Sequence, residues 1–576
     1  MTKFQDGKTV FCGKYHETAN YDMSNERIAV RADGKGGLTS YRVANATGEL
    51  LSSVLSLDLA VNGKRLSPYL SKTVKMVGRM QEVALQTDAS ELSVTTFLDK
   101  TTNGVFFLLK GEGLNIDVCF NCRAAKSASQ KGAFVQGENF CLSSSAAGDW
   151  TQENDCFYAS AKGEVKLLFS LNASVEEHLA AFQTFDDRFA RCKAEVAEVA
   201  EVVFPASVQT EEQKALYLAA YFTALENHKT IGEFNAFAAG INYLDPVRTY
   251  YRDSYFTVLP LLSSRPELVK AQILTLAKGI SEDGSCPSAV RSDFSAFWGD
   301  HYDSPSFFVL EVYDYVAATG DDSILALVGD KIKKVLAKLQ TKTDETGLIY
   351  KDGDFNKRDW ADEVNRNGYV TFVEALYYRA LVAASRLFKG DLAASYAAQA
   401  EKVKNAVNAL LFDDEKGYYV NYKTKEQTED NISVDTVFAV LFGIADENRS
   451  RRVLDNMEKL LESQNNKEQE GGAFGVMCVY PPYKLPKAAC NKSSRLFDYH
   501  NGANWCYLTA MYAYAKSLYG KDWLTPLIET FRYMTDHGYY TLIEYFSPCC
   551  EAGSPLQAWS AAMAFAFEKA GEEFFK

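Results

Sequence analysis

The chain has 576 residues, 47% of them hydrophobic and 24% charged, with a formal net charge of −14. That length exceeds one ordinary core and points to more than one domain. The acidic balance argues against nucleic-acid partners, which require a basic footprint, and against an anionic membrane surface.

The first residues, MTKFQDGKTVFCGKYHET, lack an apolar leader segment, and no run of 18 or more apolar residues occurs; a soluble, cytoplasmic protein is expected. The twelve cysteines are scattered, with one C-x-x-C spacing at Cys119 and Cys122 inside a strand-like run, and reduced thiols are expected. The six histidines show no H-E-x-x-H spacing, so neither a zinc site nor any other metal is expected.

Up to about residue 174 the chain alternates apolar and polar residues in short runs. ERIAVRA, LSVTTFLD, GVFFLLKG, NIDVCFNCR and EVKLLFSLN read as strands between Gly, Asn, Asp and Ser turns. An antiparallel β-sandwich is predicted over 1–174. Residues 175–205 read as a linker helix, and 206–576 as a separate, helical domain.

Apolar spacing of three and four predicts twelve helices, near 209–226, 253–263, 266–280, 304–318, 322–340, 370–388, 393–411, 433–443, 447–463, 502–519, 524–536 and 556–571. The even helices are each preceded by an unusual polar and aromatic segment. These are DPVRTYYRDSYF, WGDHYDSPSFF, FNKRDWADEVNRNG, QTEDNISVD, RLFDYHNGANW and EYFSPCCEAGSPLQAW. The loops into the odd helices are short. Six helical hairpins closed into a ring would set all six segments on one rim, where a rigid scaffold presents function. The predicted class is therefore mainly α, an (α/α)6 toroid with an N-terminal antiparallel β-sandwich.

The rim segments are rich in carboxylates and aromatics. Asp359, Asp362 and Glu363 flank Trp360, where partial desolvation and mutual repulsion keep a carboxyl protonated. Glu544 and Glu551 offer further carboxylates. Arg252 and Asp253 sit among aromatics, and Trp298, His301 and Asp303 repeat that blend, as do His500, Asn501 and Trp505. Two carboxyl groups, one as acid and one as base, are what cleavage of a glycosidic bond with inversion requires. Aromatic faces suit sugar rings.

These motifs resemble a known superfamily. Tyr251-Arg252-Asp253-Ser254-Tyr255-Phe256-Thr257 resembles the trehalase signature, whose Asp binds substrate. Trp360-Ala361-Asp362, followed by Gly368 and Val373-Glu374-Ala375-Leu376, resembles the general-acid segment of the glycogen debranching glucosidases. Glu544-Tyr545-Phe546 with Gly553-Ser554-Pro555-Leu556-Gln557-Ala558-Trp559-Ser560 resembles the closing segment of both families, and His500-Asn501-Gly502 with Trp505 their Asn-Gly-x-x-Trp segment. The resemblance, to the six-hairpin glycosidases, covers roughly 205–576. It implies an exo-acting inverting hydrolase of an α-linked glucoside or related oligosaccharide, with Asp362 as acid and Glu544 as base. It implies substrate contacts from Tyr251, Arg252, Asp253, Trp298, His301, Asp303, Asp359, Trp360, Glu363, His500, Asn501, Trp505, Glu551, Gln557 and Trp559, and no cofactor. Arg252 stands where trehalases have Trp, and Pro548-Cys549-Cys550 replaces their Gly-rich segment, so the sugar and linkage stay open, as does the oligomeric state. A glycoside phosphorylase on the same barrel and a carbohydrate-binding protein without catalysis are the alternatives.

Overall fold

A computed structural model describes residues 2–5, 8–12, 20–34, 37–45, 55–65, 71–86, 91–122, 129–131, 133–146, 150–153, 156–201, 204–352, 358–483, 495–548 and 552–575. The chain divides into two compact units. The first comprises Met1–Thr230, Gly240–Val247 and Met534–Leu542; the second comprises Ile231–Ala239, Arg248–Tyr533 and Ile543–Lys576.

The first unit is built on one branched antiparallel sheet. Its spine is the pair of long strands Gly104–Cys122 and Cys156–Leu171, in register from Gly104 opposite Ser170 to Asn121 opposite Cys156. The register shifts between Lys110 and Asn115, and the first strand changes neighbour there. Its first half pairs with Glu91–Phe97, its second with Leu55–Val61. Such an irregularity bends a strand and lets one sheet serve two layers. Inward residues of both branches, among them Ile28, Val30, Val83, Val94, Phe107, Val118 and Phe169, share one core.

The stretch expected as one linker helix is two, α1 (Val175–Gln183) and α2 (Phe185–Glu201). A capping box starts α1: Ser174 Oγ accepts the Glu177 N–H, and the Glu177 carboxylate accepts the Ser174 N–H, both at 3.1 Å. Ala181, Phe185 and Cys192 pack on Phe97, Phe106, Leu108 and Leu168 of the sheet. These helices cover a sheet face, which explains their buried apolar positions.

All twelve helices predicted beyond residue 205 are present. They are α3 (Glu211–Asn227), α4 (Tyr251–Val258), α5 (Pro266–Lys278), α6 (Ser304–Thr319), α7 (Leu325–Gln340) and α8 (Thr371–Leu387), then α9 (Gly390–Leu410), α10 (Val437–Leu441), α11 (Glu447–Leu460), α12 (Cys506–Leu518), α13 (Leu524–Asp536) and α14 (Ala562–Glu568). The even-numbered ones form a closed inner ring. Each packs on the next from α4 to α14, and α14 meets the 3-10 turn Leu259–Leu261 that extends α4. They are buried on nearly all sides, including charged residues such as Arg252, Asp253, Glu311, Glu374 and Arg379, whereas α7 buries one stripe with Val328, Ile332, Val335, Leu336 and Leu339.

Short strands, missed by the periodicity, lead into the inner helices. Arg248–Tyr250 precedes α4, Tyr369–Val370 precedes α8, Ile432–Ser433 lies just before α10, and Asn504–Trp505 precedes α12. They fix the direction of each rim segment before the helix begins.

Candidate active site

The first turn of α4 carries Arg252 and Asp253, both buried. Arg252 Nη1 donates to Asp303 Oδ2 at 2.7 Å, and Gln557 Nε2 donates to Asp253 Oδ1 at 3.3 Å. Asp303 occupies the N-cap position of α6, yet its carboxylate makes no capping bond there. It is turned to Arg252 instead. Burial pushes the Asp253 carboxyl up to about 7; Arg252 opposes this, while Glu544 and Asp303 add to it.

The segment 359–366 holds the predicted acid on irregular backbone. Asp362 is pushed up to about 7, first by burial and then by the charges of Glu363, Glu544 and Asp359, against the pull of Arg252. Its side chain nevertheless keeps 22% of its surface open, so a ligand reaches it. His500 stands beside it. The Glu363 N–H donates to His500 Nδ1 at 3.2 Å, which puts the proton of a neutral imidazole on Nε2. Nε2 lies 4.0 Å from Asp362 Oδ1.

Glu544 lies on the hairpin that closes the site. Tyr545 pairs with Trp505, and the Glu544 N–H donates to the Ser554 carbonyl. The Ser554 N–H in turn donates to Glu544 Oε2 at 3.1 Å. A side chain at Gly553 would meet that same oxygen at 2.7 Å, so the close backbone approach needs glycine. Glu544 raises the carboxyls of both Asp253 and Asp362, which sets the three acids in one electrostatic environment.

An aromatic wall links these groups. Trp505 stacks on His500 at 4.9 Å between centroids and on Tyr545 at 5.1 Å, and meets Trp360 edge-on at 5.5 Å. Tyr507 stacks on Trp559 at 4.5 Å, and the Arg252 guanidinium lies 5.8 Å from the Trp559 ring. Seven buried polar atoms in this linked set make no hydrogen bond among the described residues, although Arg252 Nε and Asp253 Oδ2 face each other as an ion pair at 3.8 Å. The seven are Arg252 Nε, Asp253 Oδ2, Asp303 Oδ1, Asp435 Oδ1, Tyr507 OH, Gln557 Oε1 and Trp559 Nε1. Buried polar atoms ordinarily find partners, so their clustering marks a place for a polar ligand or water.

Several residues expected at the substrate are spent elsewhere. Tyr251 is buried and donates to the Leu276 carbonyl at 2.7 Å. Asn501 Oδ1 accepts the Tyr483 N–H at 2.8 Å, and its amide nitrogen donates to the Arg495 carbonyl at 3.3 Å. Asp359 is fully buried and ion-paired with Lys351 and, at 2.6 Å, with Arg366; these two cations hold it well below the usual carboxylate range. His301 is buried with Nδ1–H donating to the Gly299 carbonyl at 2.9 Å, and its ring stacks under Trp298. Trp298 is 53% exposed on the strand Ala296–Asp300. Glu551, like Cys549 and Cys550, lies outside the described residues.

The sequence reading missed Lys351, Arg366, Asp435 and Tyr507. Arg366 Nη1 donates to Asp435 Oδ2 at 2.7 Å, and the Trp360 indole N–H donates to the same oxygen at 2.5 Å. Arg366 and Asp435 both lay inside rim segments already singled out, and that position was the only signal.

A buried carboxyl pushed up to about 7, further acids that share its charge environment and an aromatic, polar wall lie together on an (α/α)6 toroid with an N-terminal antiparallel β domain. Residues 225–565, more than half of the chain, match the family model described as amylo-alpha-1,6-glucosidase, and the chain belongs to that glycosidase family. Two solved structures share the fold. A bacterial glucoamylase complexed with acarbose matches with a TM-score of 0.63 at 12% identity, over 98% of this chain and 96% of that one. A rhamnosidase from Klebsiella oxytoca with rhamnose bound matches with a TM-score of 0.52 at 15% identity, over 95% and 96%. Both are six-hairpin glycosidases. No curated protein matches. Among the described residues no group of ligands suited to a metal ion occurs, and no helix is long and apolar enough to cross a membrane.

Proposed function

We propose that the protein is an exo-acting, inverting glycoside hydrolase for an α-linked glucoside or related oligosaccharide. The observation that carries the reading is Asp362, a carboxyl pushed up to about 7 that shares its electrostatic environment with Glu544. In a single displacement Asp362 gives its proton to the glycosidic oxygen as the C1–O bond breaks. Water adds to C1 from the opposite face and loses its proton to Glu544. The Ser554 N–H donates to that base and holds its orientation. The family membership supports the glycosidase class, and the acarbose in the glucoamylase structure supports an α-linked oligosaccharide as the ligand type.

Atoms of Arg252, Asp253, Asp303, Gln557 and Trp559 that make no hydrogen bond would receive the hydroxyls of the terminal sugar, and Trp360 and Trp505 would wall it. Glu363 and Trp298 would shape the outer part of the site. A hydroxyl-rich ligand suits such a mixture of donors and acceptors, because each pairing removes a buried penalty.

The test is a panel of α- and β-linked disaccharides and short oligosaccharides, without and with phosphate, with the anomer of the released sugar followed by NMR. Expected is a free monosaccharide of inverted configuration without phosphate. Asp362→Asn and Glu544→Gln should each lose at least about a hundredfold in rate. Release only with phosphate, as a sugar phosphate, would replace hydrolysis by phosphorolysis. Unchanged rates in both variants would remove these two carboxylates from the chemistry.

A further inference from the structure

The acid of this site is carried by a segment that no helix or sheet holds. Residues 359–366 are bends, one turn and irregular backbone with a single β-bridge position at Val364, and Asp362 sits in the turn. What fixes the segment is a set of side-chain contacts. Asp359 Oδ1 accepts the Ala361 N–H at 2.9 Å and Arg366 Nη2 at 2.6 Å. His500 accepts the Glu363 N–H. Further ties reach other segments: Lys351 pairs with Asp359, Arg366 Nη1 donates to Asn421 Oδ1 at 3.1 Å, and Asp435 lies in the turn Val434–Thr436 that leads into α10.

One oxygen of Asp435 accepts two donors from the acid segment, the Trp360 indole N–H at 2.5 Å and Arg366 Nη1 at 2.7 Å. These donors flank Asp362 on both sides in sequence. Asp435, Arg366 and Asp359 are all fully buried. The low local polarity makes such bonds strong and their loss costly. The Trp360 ring meets His500 edge-on at 4.9 Å, so a shift of the indole also reaches the imidazole beside the acid.

We propose that Asp435 is a positioning residue for the general acid, acting through the Trp360 indole and Arg366 to hold the Asp359–Arg366 segment. The inference rests on the reading of Asp362 as the acid. Its consequence is specific. An acid displaced by a fraction of an ångström fails where the leaving oxygen needs a proton, and matters little where the leaving group departs unaided.

The test compares isomaltose with α-glucosyl fluoride, whose fluoride leaves without protonation, for the native enzyme, Asp435→Asn, Trp360→Phe, the double variant and Asp362→Asn. Expected for Asp435→Asn and Trp360→Phe is a fall of about tenfold or more in kcat on isomaltose with KM changed far less. The loss on the fluoride should be smaller by a similar factor. The double variant should lose no more than the worse single one, because the two act through one bond. Equal losses on both substrates, or additive losses in the double variant, would overturn the proposal.

If Asp362→Asn also loses equally on both substrates, the acid assignment falls on its own account. If the native enzyme cleaves neither, the α-glucoside reading falls, and the indole proton resonance of Trp360, assigned from Trp360→Phe, decides the coupling. That resonance should move in Asp435→Asn, and an unmoved resonance would also overturn the proposal.

Discussion

Asp359 and Asp362 stand three residues apart in one segment, each surrounded by protein, and their carboxyls are driven in opposite directions. Asp359 is enclosed with two cations, Lys351 and Arg366, and is held well below the ordinary range. Asp362 faces other acids, with Arg252 alone pulling the other way among its main influences, and is pushed up to about 7. Burial pushes both carboxyls up, Asp359 being the more enclosed. What separates them is the charge that each meets, cations for Asp359 and mainly other acids for Asp362.

The largest effect should come from breaking the structural half of that contrast. Asp359→Asn keeps the shape but leaves Lys351 and Arg366 with one fewer buried anion. Denaturant unfolding should show a loss of about 3–5 kcal/mol, the range for removing one partner of a buried pair. A loss below about 1 kcal/mol would show that the ion pairs do not hold the segment. Asp362→Asn should do the reverse. It should cost at least about a hundredfold in rate, as proposed above, with little cost in stability.

The contrast sharpens with pH. The folded protein binds the Asp362 proton more tightly than the unfolded chain does, so this carboxyl favours folding in acid. That contribution is complete below the ordinary carboxylate value and is lost as pH rises through about 7. Asp359 has the opposite sign. Its stabilisation is present above the ordinary value and fades only as pH falls through its depressed one. Unfolding free energies at pH 5 and pH 8 should therefore show Asp362→Asn gaining on the native protein as pH rises. The native hydrolysis rate should fall above about pH 7, where the acid has lost its proton. A flat difference between the two proteins across that range would mean that Asp362 titrates as an ordinary exposed carboxyl.

Much of this was legible in the sequence, for identifiable reasons. Helix periodicity is local, and it gave all twelve helices after residue 205, including the alternation that set the rim. The carboxylate and aromatic segments were legible because they are unusual next to inner helices. The direction of each side chain was not. Tyr251 and Arg252 are neighbours in the first turn of α4, but one points to the Leu276 carbonyl and the other to Asp303. Nothing in their spacing separates these roles. Arg366 and Asp435 are 69 positions apart, and Trp360 and Asp435 are 75 apart. Pairings at that distance leave no local pattern, so the contacts that hold the Asp359–Arg366 segment were invisible while the carboxylates within it were not.

The smallest effect concerns Trp298, proposed for the outer part of the site, and here the contrast is between buried and exposed aromatics. Trp505 is closed in by His500, Tyr545 and Trp360, whereas Trp298 is held in a left-handed backbone conformation (φ 57°) with about half its surface open. Phe297 stacks on it at 5.2 Å, and the Arg248 guanidinium lies 4.6 Å from the centre of the Phe297 ring. An indole braced in this way keeps its orientation without being buried, as a platform for a sugar unit beyond the cleaved bond would need. Trp298→Ala should leave stability within about 0.5 kcal/mol, since little is packed away with it. It should raise KM for a trisaccharide by roughly three- to tenfold, the worth of one aromatic contact, and leave a disaccharide nearly untouched. Equal changes for both lengths would place Trp298 at the cleaved sugar rather than beyond it, and no change for either would reduce it to a surface residue.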